Sequence, residues 1–85
     1  MVTIKQKTTI KQRVEASCPS HSRSDVSVRD ISFTIDEPVE RDGTNMGPTP
    51  TETALGALAA CTNVIGNKTA HKLGLDVSNF KVSVV

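Results

Sequence analysis

Apolar and polar residues alternate along the first part of the chain. Over residues 2–16 most apolar side chains share one parity and polar side chains fill the other, a period of two that predicts a half-buried β-strand. Residues 17–24 contain a proline and several serines, which indicate a loop. A second strand is predicted over residues 25–36, with a bulge near Arg29 and Asp30 where the apolar positions change parity. The two strands are expected to form a hairpin.

The strongest local signal follows a long irregular segment, residues 37–49, which is rich in Pro, Gly and charged side chains. Loops of this length in small domains are often functional. Thr49 is a favourable N-cap, Pro50 occupies the first helical position and Glu52 the third. Together they predict a capping box with proline at its preferred place.

The helix opened by this capping box is predicted to extend from Pro50 to about Leu73, with Gly74 as its C-terminal stop. It would be about 35 Å long at 1.5 Å per residue, which suits a central helix against which the other elements pack. Residues 77–85 alternate again and predict a third strand. The sequence thus predicts an α+β fold, strand–strand–helix–strand, in a single domain over residues 1–85.

The composition provides little material for a core. The 85 residues are 36% hydrophobic, with two Phe and neither Trp nor Tyr. Domains of this size bury only about 60% of the surface that their unfolded chains expose. We therefore expect the chain to bury more apolar surface against a second copy of itself, as a homodimer with paired central helices. Because the sequence stops on the strand pattern "FKVSVV", it is also expected to be a fragment of a longer domain or to complete its sheet with a partner.

Charge and hydropathy argue against several classes of partner. The net charge is +1, and no stripe of Lys and Arg with interleaved aromatic residues points to nucleic acid. The N-terminus lacks the apolar core of a signal peptide, and no run approaches the roughly 20 apolar residues of a membrane span, so no membrane partner is expected. Two cysteines without an export signal favour free thiols in the cytoplasm.

Cys61 is the residue with the clearest chemical potential. It lies about three turns into the predicted helix, beyond the reach of the helix dipole, which fades within one turn. A free thiol has a pKa of about 8.5, so reaction at neutral pH requires a nearby cation. That cation must come from another segment or another subunit, and the candidates are Arg13, Arg23, Arg29 and Arg41. Arg23 is favoured because it lies in the loop between the predicted strands.

Two other interpretations of the cysteines compete with this one. A cysteine in an alanine-rich helix is commonly an inert packing residue. A zinc site is the other alternative, since such a site needs about four ligands. The chain supplies four only if its first loop and the helix converge, in which case the ligands would be Cys18, His21, Cys61 and His71.

The stretch "GTNMGPTPTETALGALAACTN" resembles the signature of the OsmC/Ohr family, in which a Gly- and Pro-containing loop opens a central helix and an Ala-rich run leads to a reactive cysteine. The upstream segments "CPSHSRSDVSVRD" and "IDEPVERDGTNMGP" are similar to an OsmC-like subgroup. The resemblance spans nearly the whole chain, although family members are longer. It implies an intertwined homodimer, in which sheets wrap two long central helices, and a thiol peroxidase that reduces organic hydroperoxides.

The resemblance also implies roles for particular residues. Cys61 would be the peroxidatic cysteine, Arg23 would stabilise its thiolate and Glu52 would orient the arginine. Two features depart from the family pattern: Thr51 stands where the peroxidases have their glutamate, and the second, resolving cysteine of the family has no counterpart, which leaves Cys18 as a candidate. No metal or organic cofactor is implied, and electrons would come from a small thiol or a dithiol carrier. The alternative is a non-catalytic OsmC-like dimer that binds a small apolar ligand in its cleft.

Overall fold

The computed structural model describes residues 10–76 and 80–85. It contains a three-stranded antiparallel sheet followed by one long helix, which confirms the predicted α+β class. In chain order the elements are β1 (Glu15–Ser17), β2 (Ser24–Val28), β3 (Ile31–Ile35), a 3₁₀ helix (Val39–Arg41) and α1 (Pro50–Lys72).

The second predicted strand, residues 25–36, is in fact two strands. β2 and β3 pair antiparallel, with Val28 opposite Ile31, and the two residues between them form a tight turn. Arg29 adopts the left-handed conformation there, with φ 56. The predicted bulge is therefore wrong: the change of parity marks a reversal of the chain, which shifts apolar positions just as an inserted residue does.

The first predicted strand is confirmed only at its C-terminal end. Residues 2–9 lie outside the described part of the chain, residues 10–14 are not in a strand, and β1 extends one residue into the predicted loop. β1 pairs antiparallel with β2, with Ala16 opposite Val26, so the predicted hairpin is present in a shorter form.

The helix follows the prediction closely. Thr49 caps it: its hydroxyl accepts a hydrogen bond from the backbone N–H of Glu52 at 3.0 Å, and a Glu52 carboxylate oxygen accepts one from the backbone N–H of Thr49 at 3.0 Å. α1 ends at Lys72, and Gly74 adopts φ 70, a left-handed conformation that glycine enters without steric cost. The 23 residues of α1 are not apolar enough for a membrane span, and no other helix in the described residues is a candidate.

The predicted third strand is not formed in the described part of residues 77–85. Residues 77–79 lie outside the described part, and residues 80–85 pair with no strand. They lie along the helix instead: a Cβ added at Gly66 would come within 3.1 Å of the Phe80 ring, and Val84 borders a depression on the helix beside Leu55. A segment that lies against a helix, away from the edge of a sheet, cannot form the backbone hydrogen bonds that pair neighbouring strands.

The described residues form almost no hydrophobic core. Val26 and Ala70 are their only buried apolar side chains, and α1 packs extensively against none of the strands. The helix leaves Leu58 and Ile65 56% and 59% exposed, and the apolar face of the sheet leaves Phe33 43% exposed. Much of the apolar surface of α1 and of the sheet is thus exposed among the described residues, which extend over 57 × 32 × 21 Å.

Candidate functional site

The three predicted site residues lie on separate parts of the fold. Cys61 is near the middle of α1, Glu52 is in the first turn of the same helix, and Arg23 directly precedes β2. Within the described part of the chain, neither a hydrogen bond nor an ion pair joins Cys61 to either of the other two. A single copy of the chain therefore does not assemble the predicted site.

Cys61 is an exposed free thiol. Leu58 precedes it by three residues and Ile65 follows it by four, so the three side chains lie on one side of the helix. Both apolar neighbours are more than half exposed. The sulfur is therefore exposed, and it lies within an apolar stripe whose described side chains are exposed as well.

Arg23 is held in one orientation by a carboxylate. Its Nε donates to Oδ1 of Asp25 at 3.0 Å and its Nη2 donates to Oδ2 at 3.3 Å, a two-point contact in which both side chains are about one-third exposed. The Thr34 hydroxyl, on β3, donates to Oδ1 of the same carboxylate at 2.9 Å. The hydrogen bonds from Arg23 and then from Thr34 lower the pKa of Asp25 below its ordinary value. The carboxylate is therefore ionised at neutral pH and holds the arginine in place.

Glu52 serves the helix terminus, as the capping-box prediction requires. Its carboxylate accepts from the backbone N–H of Thr49, and it borders a depression of about 450 Å³ between the 37–49 loop and the start of α1. The arginine that borders this depression is Arg41, not Arg23. Arg41 also lies 3.6 Å from a carboxylate oxygen of Glu37. The expected role of Glu52 in orienting Arg23 thus has no contact to support it among the described residues.

The sequence patterns did not indicate Asp36, which follows β3 and is fully buried. Its carboxylate accepts hydrogen bonds from the backbone N–H of Glu37 at 2.7 Å, from that of Met46 at 3.1 Å and from the hydroxyl of Thr44. Its own N–H donates to the carbonyl of Pro48 at 2.9 Å. These bonds, that of Thr44 foremost, hold the pKa of Asp36 well below its usual range. Asp36 therefore forms hydrogen bonds with both the first and the last residues of the loop that leads to the helix cap.

One glycine allows this loop to pass close to the sheet. A Cβ at Gly47 would collide with the backbone carbonyl of Thr34, so no other residue fits there without displacing the chain. The close approach brings the end of the loop beside β3 immediately before Thr49. The position of the helix start relative to the sheet thus depends on Asp36 and Gly47 together.

The zinc alternative is not supported by the geometry. His21 contacts Asp42, with Nε2 2.9 Å from its carbonyl oxygen and 3.4 Å from its carboxylate. The Cys18 sulfur lies 3.6 Å from the Ser24 hydroxyl and is exposed. In residues 10–76 and 80–85, which include all four proposed ligands, no three His, Cys, Asp or Glu side chains come together as a metal site. The convergence of the first loop and the helix that a zinc site requires is therefore not seen in the single chain.

No protein-family model matches this chain, and no curated protein or solved structure shows significant similarity to it.

Proposed function

We propose that the chain acts as an OsmC-like thiol peroxidase in which Cys61 reduces organic hydroperoxides. The observation that carries this proposal is the free thiol of Cys61 at the centre of an uncovered apolar stripe on a capped helix. A thiol in that position is open to a hydroperoxide, and the apolar side chains around it suit the organic part of such a substrate. The resemblance of residues 43–63 to the OsmC/Ohr signature supports the same assignment.

The proposed chemistry needs no metal or organic cofactor. The Cys61 thiolate attacks the terminal oxygen of the hydroperoxide, the O–O bond breaks, and the alkoxide leaves as an alcohol after it takes up a proton. The cysteine becomes a sulfenic acid. A first reductant thiol displaces water from the sulfenic acid to give a mixed disulfide, and a second thiol releases Cys61 and forms the reductant disulfide.

A homodimer is the second part of the proposal. The helix exposes an apolar stripe around Cys61, and the sheet exposes Ile31 and Phe33 on one face. A second copy that places its sheet on the helix of the first would cover both surfaces in a two-fold dimer. Small side chains such as Ala54 and Ala57 allow that close approach. Since Arg23 does not reach Cys61 within one chain, we assign the contact between them to the dimer interface.

The peroxidase proposal is tested by trapping the sulfenic acid. The chain is treated with cumene hydroperoxide in the presence of dimedone, and the modified cysteine is located by mass spectrometry. We expect rapid labelling of Cys61, the same labelling in Cys18→Ser, and loss of the label in Cys61→Ser. Oxidation of Cys61 no faster than that of free cysteine would refute the assignment.

The exposed apolar stripe also supports a second candidate, a non-catalytic dimer that binds a small apolar ligand in its cleft. In that case Cys61 is a wall of the cleft rather than a reagent. Binding of an apolar fluorescent probe would then survive Cys61→Ser while the thiol shows ordinary reactivity. The free state of both cysteines is compatible with the cytoplasm, where we place the protein in either case.

A further inference from the structure

Asp25 and Arg23 form the best-defined charged contact on the sheet. Two nitrogens of the guanidinium bind the two oxygens of the carboxylate, at 3.0 and 3.3 Å, in the parallel geometry that fixes an arginine most strongly. The backbone N–H of Arg23 also donates to the hydroxyl of Ser20 at 3.1 Å. Both the main chain and the side chain of the arginine are thus anchored.

The sheet in turn anchors Asp25. On β2 it lies opposite Ser17 of β1 and Thr34 of β3, in a polar row across all three strands. Thr34 donates its hydroxyl proton to Oδ1, the same oxygen that accepts from Nε of Arg23. Because a cross-strand neighbour and a guanidinium bind the carboxylate together, its rotation is restricted and the direction of the arginine follows from the strand register.

Glu52 is engaged elsewhere. Its Oε1 accepts from the backbone N–H of Thr49 in the capping box, and no contact joins its carboxylate to Arg23 among the described residues. The contact between Arg23 and Asp25 leaves Nη1 without a hydrogen-bond partner in the described part of the chain. That nitrogen, with two N–H donors, is available to an incoming anion.

We propose that Asp25, supported by Thr34, is the positioning residue that directs the free edge of Arg23 toward the Cys61 thiolate of a second copy. This inference rests on the proposed peroxidase function and assigns to Asp25 the orienting role first expected of Glu52. Asp25 acts through Arg23 and does not touch the substrate.

The sign of the rate change in Asp25→Asn distinguishes a positioning role of Asp25 from a purely electrostatic effect of its charge on the thiolate. Asp25→Asn removes a negative charge, and if the charge alone mattered, its loss would favour the thiolate and speed its reactions. If Asp25 positions Arg23, the same substitution releases the guanidinium and slows them. The measurement is the rate of iodoacetamide alkylation of Cys61 against pH, in a Cys18→Ser background.

For Asp25→Asn we expect alkylation at pH 7 to slow by about three- to tenfold, because only the thiolate reacts and its fraction at pH 7 falls as the pKa rises, by up to tenfold per unit. Thr34→Val keeps the charge of Asp25 but removes its support, so a smaller change in the same direction is expected. Glu15→Gln is the matched control: Glu15 contacts Arg13 at the same spacing and at 3.0 Å, but both side chains are largely exposed. Circular dichroism and sedimentation show whether each variant keeps its fold and assembly.

Every outcome decides the question. If the unsubstituted chain is alkylated no faster than free cysteine, the peroxidase proposal and this inference both fail. If the unsubstituted thiol is fast but Arg23→Ala leaves it fast, the enzyme assignment survives while the roles of Arg23 and Asp25 are refuted. If Arg23→Ala is slow and Asp25→Asn is as fast as the unsubstituted chain, or faster, only the positioning role of Asp25 is overturned.

Discussion

Asp36 accepts a hydrogen bond at 3.1 Å from the backbone N–H of Met46, ten residues further along the chain. With the N–H of Asp36 bound to the carbonyl of Pro48, this contact closes the 37–49 loop on itself directly before the helix. A loop of polar residues thereby gains a defined conformation without a hydrophobic core. Four consequences for stability and assembly can be measured.

The first prediction concerns Asp36→Asn. An amide presents donors to a site where the Thr44 hydroxyl and two backbone N–H groups already donate, so at least one bond is replaced by a repulsive contact. We expect a lower midpoint of urea unfolding at pH 7. Asp76→Asn is the control, since Asp76 is exposed and has no ion pair in the described part of the chain. A midpoint equal to that of the control would contradict the structural role of Asp36.

The second prediction is the pH dependence of that stability. The pKa of Asp36 is lower in the folded chain than its ordinary value of 3.8, so the unfolded chain binds the proton more tightly. The contribution of Asp36 is therefore complete above about pH 5 and is lost as the pH falls below about 4. Thermal unfolding followed from pH 7 to pH 2 should show a fall in the unsubstituted chain that is smaller in Asp36→Asn. Parallel curves for the two proteins would refute this linkage.

The third prediction concerns the helix cap. Thr49→Ala removes the acceptor for the N–H of Glu52 at a nearly buried site, and should lower the free energy of unfolding by about 1 kcal/mol. Thr49→Ser keeps the hydroxyl and should restore most of the loss. Urea unfolding followed at 222 nm reports the helix directly. An equal loss in both variants would show that packing of the threonine methyl group, rather than the cap, stabilises the helix start.

The fourth prediction tests the uncovered stripe of α1. Ile65→Glu places a charge beside Cys61 on the stripe, and if a second copy covers it, the dimer should dissociate in sedimentation equilibrium. Asn63→Glu is the matched control, because Asn63 lies on the opposite side of the same helix from that stripe and is exposed. We expect Asn63→Glu to remain a dimer. A monomer in the unsubstituted chain at high concentration would contradict the dimer outright.

Features governed by neighbouring residues could be predicted from the chain alone. The capping box of Thr49 and Glu52, and the end of the helix at Gly74, were predicted within one residue, because a cap and a stop depend on contacts no more than five residues apart. The turn at Arg29 was missed because a reversal and a bulge shift apolar parity in the same way. Arg29 and Asp30 lack the glycine that marks most two-residue hairpin turns, so the turn had no local signal.

The candidate site was predictable only in its components. Cys61 lies on a helix, as the sequence indicated. That its cation comes from another segment stays a prediction, because Arg23 contacts Asp25 and not Cys61 in the described part of the chain. The two-point contact of Arg23 with Asp25 was not predicted. Thr34 supports this contact from the neighbouring strand, and the sequence pattern did not show that β2 and β3 are separate, paired strands.

The local sequence thus determines the N-cap, the helix and the residue at which the helix stops. The burial of Asp36, the path of residues 80–85 along the helix and the exposure of the stripe around Cys61 were decided by the tertiary structure. The physical reason is that each depends on groups distant in sequence, whose approach is governed by loop closure and packing rather than by periodicity.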